Sequence, residues 1–183
     1  MPFQVWVLVA LVLLAAVLRG LYGWWKYRGR RLVTCPENQR PAGVRLDSSR
    51  AALGGLLHPP KLQLMECTRW PEKAGCGQEC LREIESRPGD CLVRNIVLQW
   101  YAGKSCCSCG RPFGAIPAAG AQPAVLGADK KSVEWSEIPV DRLRDILAAG
   151  KPICFACHMA RKMLREHREL VSGLSESTGR PAR

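Results

Sequence analysis

The chain reads as α+β: an N-terminal transmembrane helix followed by a small Cys-rich, zinc-stabilised domain. Three observations predict this: an unbroken apolar run near the N-terminus, ten cysteines, and short strand, turn and helix patterns in mixed order. With 183 residues and 47% hydrophobic content the chain folds as one domain or two very small ones. That excludes a disordered chain, a collagenous one and a large α/β enzyme with a Gly-rich nucleotide loop.

From Val5 to Leu18 every residue is apolar, and Phe3 extends the run. Residues 3–18 make about 24 Å of helix at 1.5 Å per residue, slightly short of a hydrocarbon core of about 30 Å. Arg19 can snorkel, and Tyr22, Trp24 and Trp25 suit the headgroup belt, so the span is read as residues 3–25. A cleaved signal peptide fits less well, because Met1-Pro2-Phe3-Gln4 carries no basic residue and no small-x-small site follows. Arg19, Lys26, Arg28, Arg30 and Arg31 all follow the span and none precedes it. The positive-inside tendency then predicts a single-pass protein of the inner membrane with its C-terminal domain in the cytoplasm. Thiols stay reduced there, so ten Cys read first as metal ligands.

The order of elements follows from local signals. Residues 32–35 read as a strand, 36–39 as a turn and 42–46 as the return strand of a hairpin. Asp47, Ser48 or Ser49 caps a short helix to about Leu57, which Pro59-Pro60 stops. Residues 61–65 alternate as a third strand. A helix is expected from Cys76 or Gly77 to just before Pro88, and another over 91–102, with Asp90 as cap and Gly103 as stop. Residues 114–123 form an Ala/Gly/Pro-rich loop; 124–126 and 132–135 then flank a turn as a hairpin. Helices over 140–149 and about 156–171 complete the domain, and 172–183 is expected to be disordered. The modules expected are 1–31 (helix and basic flank), 32–103 (a small Cys-rich α+β module), 104–171 (a zinc-finger-like module) and the tail 172–183. No internal repeat of useful length is visible.

The strongest chemical signal is Cys106-x-x-Cys109 with Cys154-x-x-Cys157, 44 residues between the inner pair. Two such pairs close one tetrahedral Zn site, with Zn–S distances of about 2.3 Å. Gly110 permits the tight left-handed turn a knuckle needs, and Cys157 falls in a first helical turn, where amide dipoles favour thiolate. A knuckle, a hairpin and a helix that carries the second pair resemble a treble-clef or zinc-ribbon finger over residues 105–171. The wide separation of the pairs and the extra helix depart from that pattern, and Cys107 leaves the ligand register open. With its apolar N-terminus, the chain looks like a bacterial membrane-anchored Cys-rich protein. Against zinc stands Cys154-Phe155-Ala156-Cys157-His158, a c-type haem pattern in which both thiols would become thioethers and His158 the proximal ligand. Little chain follows to cover a haem, a partner Cys pair is at hand, and haem attachment needs the other side of the membrane. On the zinc reading, His158 is an exposed helix residue.

A second set comprises Cys67, Cys76, Cys80 and Cys91, with Cys35 as a possible replacement for Cys91. Cys76 and Cys80, at i and i+4, would present both sulfurs on one helix face. Disulfides remain an alternative, ferredoxin spacings are absent, and Cys91 and Cys107 also read as buried small hydrophobes.

No hydrolase, metalloprotease or phosphate-loop motif occurs, and an all-Cys site is closed and structural rather than catalytic. Of the three His, His58 and His167 read as surface residues. Arg161, Lys162, Arg165 and Arg168 alternate with Glu166 and Glu169, the pattern of a salt-bridged solvent face rather than a nucleic-acid helix. Trp70, Trp100 and Trp135 read as core fillers. A formal +11 shrinks once the five flank cations are set aside, and each Cys-only zinc site adds a net charge of −2. The expectation is a non-enzymatic binding or assembly module at the membrane face, with a protein partner and with neither nucleic acid nor a small-molecule substrate. Its membrane-anchored rivals are a haem electron carrier and a thiol-redox or metal-handling protein using Cys106-Cys107-Ser108-Cys109.

Overall fold

A computed structural model describes residues 3–55, 61–73, 75–118 and 120–167. His58 and the tail 172–183 lie outside these residues. The described residues mix helix and sheet and fall into two compact units. One lies within Met1–Ile96 together with Pro139–Asp141, the other within Val97–Ile138 and Arg142–Arg183.

The first unit opens with α1 (Phe3–Tyr27), a helix long and apolar enough to cross a membrane, whose apolar side chains up to Leu18 are exposed save for the half-buried Ala16. Its last turns instead pack against α2 (Ser48–Gly54). Gly23 faces Ala52 at this contact, and a Cβ there would sit 3.4 Å from the Ala52 Cα, at van der Waals distance. Arg19 was expected to snorkel towards headgroups; its Nε donates to the Gly55 carbonyl at 2.7 Å, satisfying an acceptor just past the end of α2. Asp47 caps that helix, its carboxylate accepting from the Arg50 amide at 2.9 Å.

Strands β1 (Arg30–Thr34), β2 (Pro41–Leu46) and β3 (Leu64–Cys67) form an antiparallel sheet in the order β1-β2-β3. The third strand starts later than its alternation predicts, because the Gln63 carbonyl is taken by the Asp47 amide and the Leu64 amide by Gln78 Oε1. Helix α3 (Leu81–Ser86) is also shorter than expected. Gln78, at φ 55°, lies in the left-handed region and keeps the chain non-helical until Cys80, the N-cap. Cys76 therefore lies ahead of the helix, and the expected i, i+4 pair on one face does not form. Val33, Val44, Leu46, Leu64 and Ile84 fill the core beneath.

Arg31, read from sequence as part of the basic flank, is fully buried. Its guanidinium donates to the Pro88 carbonyl and, at 2.6 Å, to the Lys26 carbonyl. Burial lowers its pKa, and the nearby Cys91 and Tyr27 oppose that shift.

Helix α4 (Val93–Tyr101) carries the boundary between the units, and Gly103 at φ 70° follows its end. In the second unit β4 (Ala124–Leu126) is central to a sheet ordered β5-β4-β6, with β5 spanning Ser132–Glu134 and β6 Lys151–Ile153. A 3₁₀ turn (Val140–Arg142) leads into α5 (Leu143–Ala149), and α6 (Phe155–Glu166) closes the described chain. The expected hairpin is β4–β5. Strand β6 was not foreseen, since three residues including Pro152 carry no periodic signal. Gly150 before it is obligatory, because a Cβ there would fall 2.3 Å from Val125 Cγ1. Tyr101 Oη donates to the Ala124 carbonyl at 2.7 Å, and its ring packs on Phe113 and Trp100. Trp70, Trp100 and Trp135 are half-buried.

Candidate metal centre

The centre begins with a turn. Ser105 pairs with Pro112, the Cys106 amide donates to the Arg111 carbonyl at 2.9 Å, and the Gly110 amide returns to the Cys106 carbonyl at 2.9 Å. Closing so small a loop requires a left-handed residue, which Gly110 supplies at φ 72°. The Cys107 amide donates to the Pro152 carbonyl at 2.8 Å, which ties this turn to β6. At the end of that strand Cys154 is the N-cap of α6, and Cys157 stands in the helix's first turn.

One set of sulfurs results: those of Cys106, Cys109, Cys154 and Cys157 all lie within 4.8 Å of one another. Cys109 and Cys154 approach to 3.8 Å. Four thiolates placed tetrahedrally at about 2.3 Å from zinc are themselves about 3.8 Å apart, so this set can hold a metal ion and is consistent with zinc. The Cys154 amide donates to Cys106 Sγ at 3.3 Å, an interaction that favours a charged sulfur.

Proton affinities are spread unevenly over the four. Burial raises the Cys106 pKa, but N–H donors from Cys154, Cys109 and Ser108 outweigh it and bring the thiol down to about 6. Cys157 moves the other way, to about 12, chiefly because its thiol donates to Cys154, with burial adding to the effect. Without metal, Cys106 carries charge and Cys157 keeps its proton.

Two neighbours depart from the sequence reading. Cys107 is exposed rather than a buried hydrophobe, and it is not one of the four. His158 is buried, not solvent-facing: Nδ1 lies 2.8 Å from Ser132 Oγ and Nε2 4.0 Å from Glu134 Oε1. Nδ1 is thus engaged by Ser132 on β5, and the ring packs against that strand. Nothing in the sequence marked Ser132 as the partner. His167 is exposed, and Arg161, Lys162, Arg165 and Glu166 on α6 form no ion pair among the described residues.

In the first unit, Cys35, Cys67, Cys76 and Cys80 line one cavity. Cys91 does not line it; this residue lies beside Arg31 and its carbonyl accepts from the Leu32 amide at 2.8 Å. Of the two candidates for the fourth place in the second set, Cys35 lines this cavity and Cys91 does not. The Cys80 thiol is pushed up to about 11 by burial and by its neighbours Cys67, Cys76 and Cys35. Comparison of the chain with family models, curated proteins and solved structures gives no match.

Proposed function

We propose that the protein is a single-pass, membrane-anchored zinc protein whose C-terminal unit is a non-enzymatic binding or assembly module on the cytoplasmic face. The convergence of Cys106, Cys109, Cys154 and Cys157 carries this reading. Four thiolates around one zinc leave no coordination position for substrate or water, so such an ion serves structure. Its contribution is large where a small sheet buries little, because binding free energy is then folding free energy. A treble-clef-like role for the turn and α6 agrees with Cys157 lying in a first helical turn.

Anchoring is supported by α1, and the orientation by the exposed Lys26, Arg28 and Arg30 that follow it. A protein partner is the ligand proposed for such a module. The test is to express the full chain, extract membranes with carbonate, and measure zinc and the sidedness of protease cleavage. Retention in the membrane, bound zinc and cleavage from the cytoplasmic side are expected. A released, zinc-free or externally cleaved chain overturns the reading.

A further inference from the structure

Two turns in this chain share one construction. Cys35 donates its amide to the Arg40 carbonyl at 2.9 Å and accepts from the Gln39 amide at 2.8 Å, while Thr34 pairs with Pro41. The same bonds link Cys106 to Arg111 and Gly110, with Ser105 paired to Pro112. Gln39 at φ 57° stands where Gly110 stands at φ 72°. With the geometry known, the sequences align without a gap. Thr34-Cys35-Pro36-Glu37-Asn38-Gln39-Arg40-Pro41-Ala42-Gly43 lies against Ser105-Cys106-Cys107-Ser108-Cys109-Gly110-Arg111-Pro112-Phe113-Gly114, sharing Cys, Arg, Pro and Gly. No repeat was visible from sequence because the second knuckle thiol, Cys109, is replaced by Asn38.

We infer that Cys35, Cys67, Cys76 and Cys80 form a second all-thiolate site for a zinc-class ion, built on this knuckle. All four line one cavity of about 280 Å³, roomy beside the ~30 Å³ share of a single water. All four are free thiols. Cys67 ends β3, Cys76 precedes α3 and Cys80 caps it, so three further elements supply what Asn38 lacks. Donors already point at the sulfurs: the Gln78 amide lies 3.3 Å from Cys76 Sγ, and Arg69 Nη1 3.2 Å from Cys35 Sγ. Two of the three left-handed non-glycine residues described, Gln39 and Gln78, stand in the turns that carry Cys35 and Cys76. Such strain persists where the surroundings over-determine it. Arg69 and Lys73 line the same cavity together with Glu37 and Glu79, and Lys73 pairs with Glu37, so the side chains around the four thiols carry both signs. Among the described residues only the C-terminal four sulfurs already lie within 4.8 Å of one another, so an ion here must draw these four together; glycines 75 and 77 flank Cys76, with open space around Gly75, and leave that segment room to move. The site stands independently of the C-terminal one.

Native mass spectrometry of the full chain in detergent, purified with zinc, tests the inference. Wild type is expected to hold two zinc ions, Cys35→Ser and Cys80→Ser one each, Cys91→Ser two. Cys154→Ser separates the readings. One ion kept in Cys154→Ser is expected; a wild type that holds a single ion, kept in Cys154→Ser and absent from Cys35→Ser, supports this site and contradicts the C-terminal one, and the reverse overturns this site alone. Should the Ser variants fail to fold, alkylation of wild type decides. Cys35 and Cys76 are expected to react at least tenfold faster after chelator is added. Equal rates with and without chelator overturn the inference, as does an intact mass showing disulfides among these four, or the brown absorbance of an iron–sulfur cluster.

Discussion

Cys109 and Cys154 stand 45 positions apart in the chain, yet their sulfurs meet at 3.8 Å. Bonds unrelated to the sulfurs bring them there: the Cys107 amide on the Pro152 carbonyl, and β6 paired with β4. The fold therefore presets the geometry that a bound ion would share.

Chelation should unfold the second unit cooperatively. Structural zinc contributes about 10–16 kcal/mol at neutral pH, comparable with the whole stability of a small domain. Hydrogen exchange with and without chelator is expected to show protection lost over β4, β6 and the first turns of α6. Unchanged protection there contradicts the account.

Zinc affinity should fall with pH. Near neutral pH, uptake must displace the proton of Cys157, whose pKa is about 12, whereas Cys106, at about 6, is already ionised. The Cys157 proton alone gives about tenfold weaker binding per unit fall in pH, and the slope steepens below about pH 6 as Cys106 protonates. Competition with a chromophoric chelator measures this, and a flat profile counts against a thiolate site. In the metal-free chain the two thiols act in opposite senses. The lowered value of Cys106 stabilises the fold above its ordinary value of about 9 and ceases to do so as pH falls through about 6. The raised value of Cys157 stabilises below that ordinary value and ceases to do so as pH rises through about 12.

Cys107 separates a structural cluster from a redox one. Exposed and outside the set, it should be the thiol of the second unit that alkylates in zinc-loaded protein. Cys107→Ser should leave zinc content unchanged and shift stability by no more than about 0.5 kcal/mol. Loss of zinc in this variant would put Cys107 among the ligands.

His158→Ala should destabilise the second unit by about 1–3 kcal/mol, since it leaves the buried Ser132 hydroxyl without its partner. Zinc stoichiometry should not change, and neither protein should show a Soret band. A Soret band lost in the variant would restore the haem reading.

Tyr101→Phe keeps the ring contacts with Trp100 and Phe113 but removes the buried hydrogen bond to the Ala124 carbonyl. A cost of about 1–2 kcal/mol is expected from thermal unfolding at fixed zinc. No change in Tm would mean that this bond does not hold β4 in place.

Much of the chain was legible in its sequence because the signals were local. The apolar run gave α1, Asp47 gave the start of α2, and the paired Cys-x-x-Cys motifs named the thiols that converge. What sequence missed depends on tertiary contact. Pro152 becomes part of a strand because β4 lies beside it, and His158 is buried because Ser132 faces it. Arg31 carries a membrane-flank pattern but serves the fold, because the Pro88 and Lys26 carbonyls need a donor there. The second Cys set was harder still. Its ligands come from four separate places in the chain, and a left-handed Gln78 sets Cys76 ahead of the helix that was expected to carry it.

The most direct test of the central claim is X-ray absorption at the zinc edge on the full chain purified in detergent. The account predicts bound zinc with a single shell of four sulfurs at about 2.3 Å. A shell containing nitrogen or oxygen, or protein that retains no zinc, would contradict it.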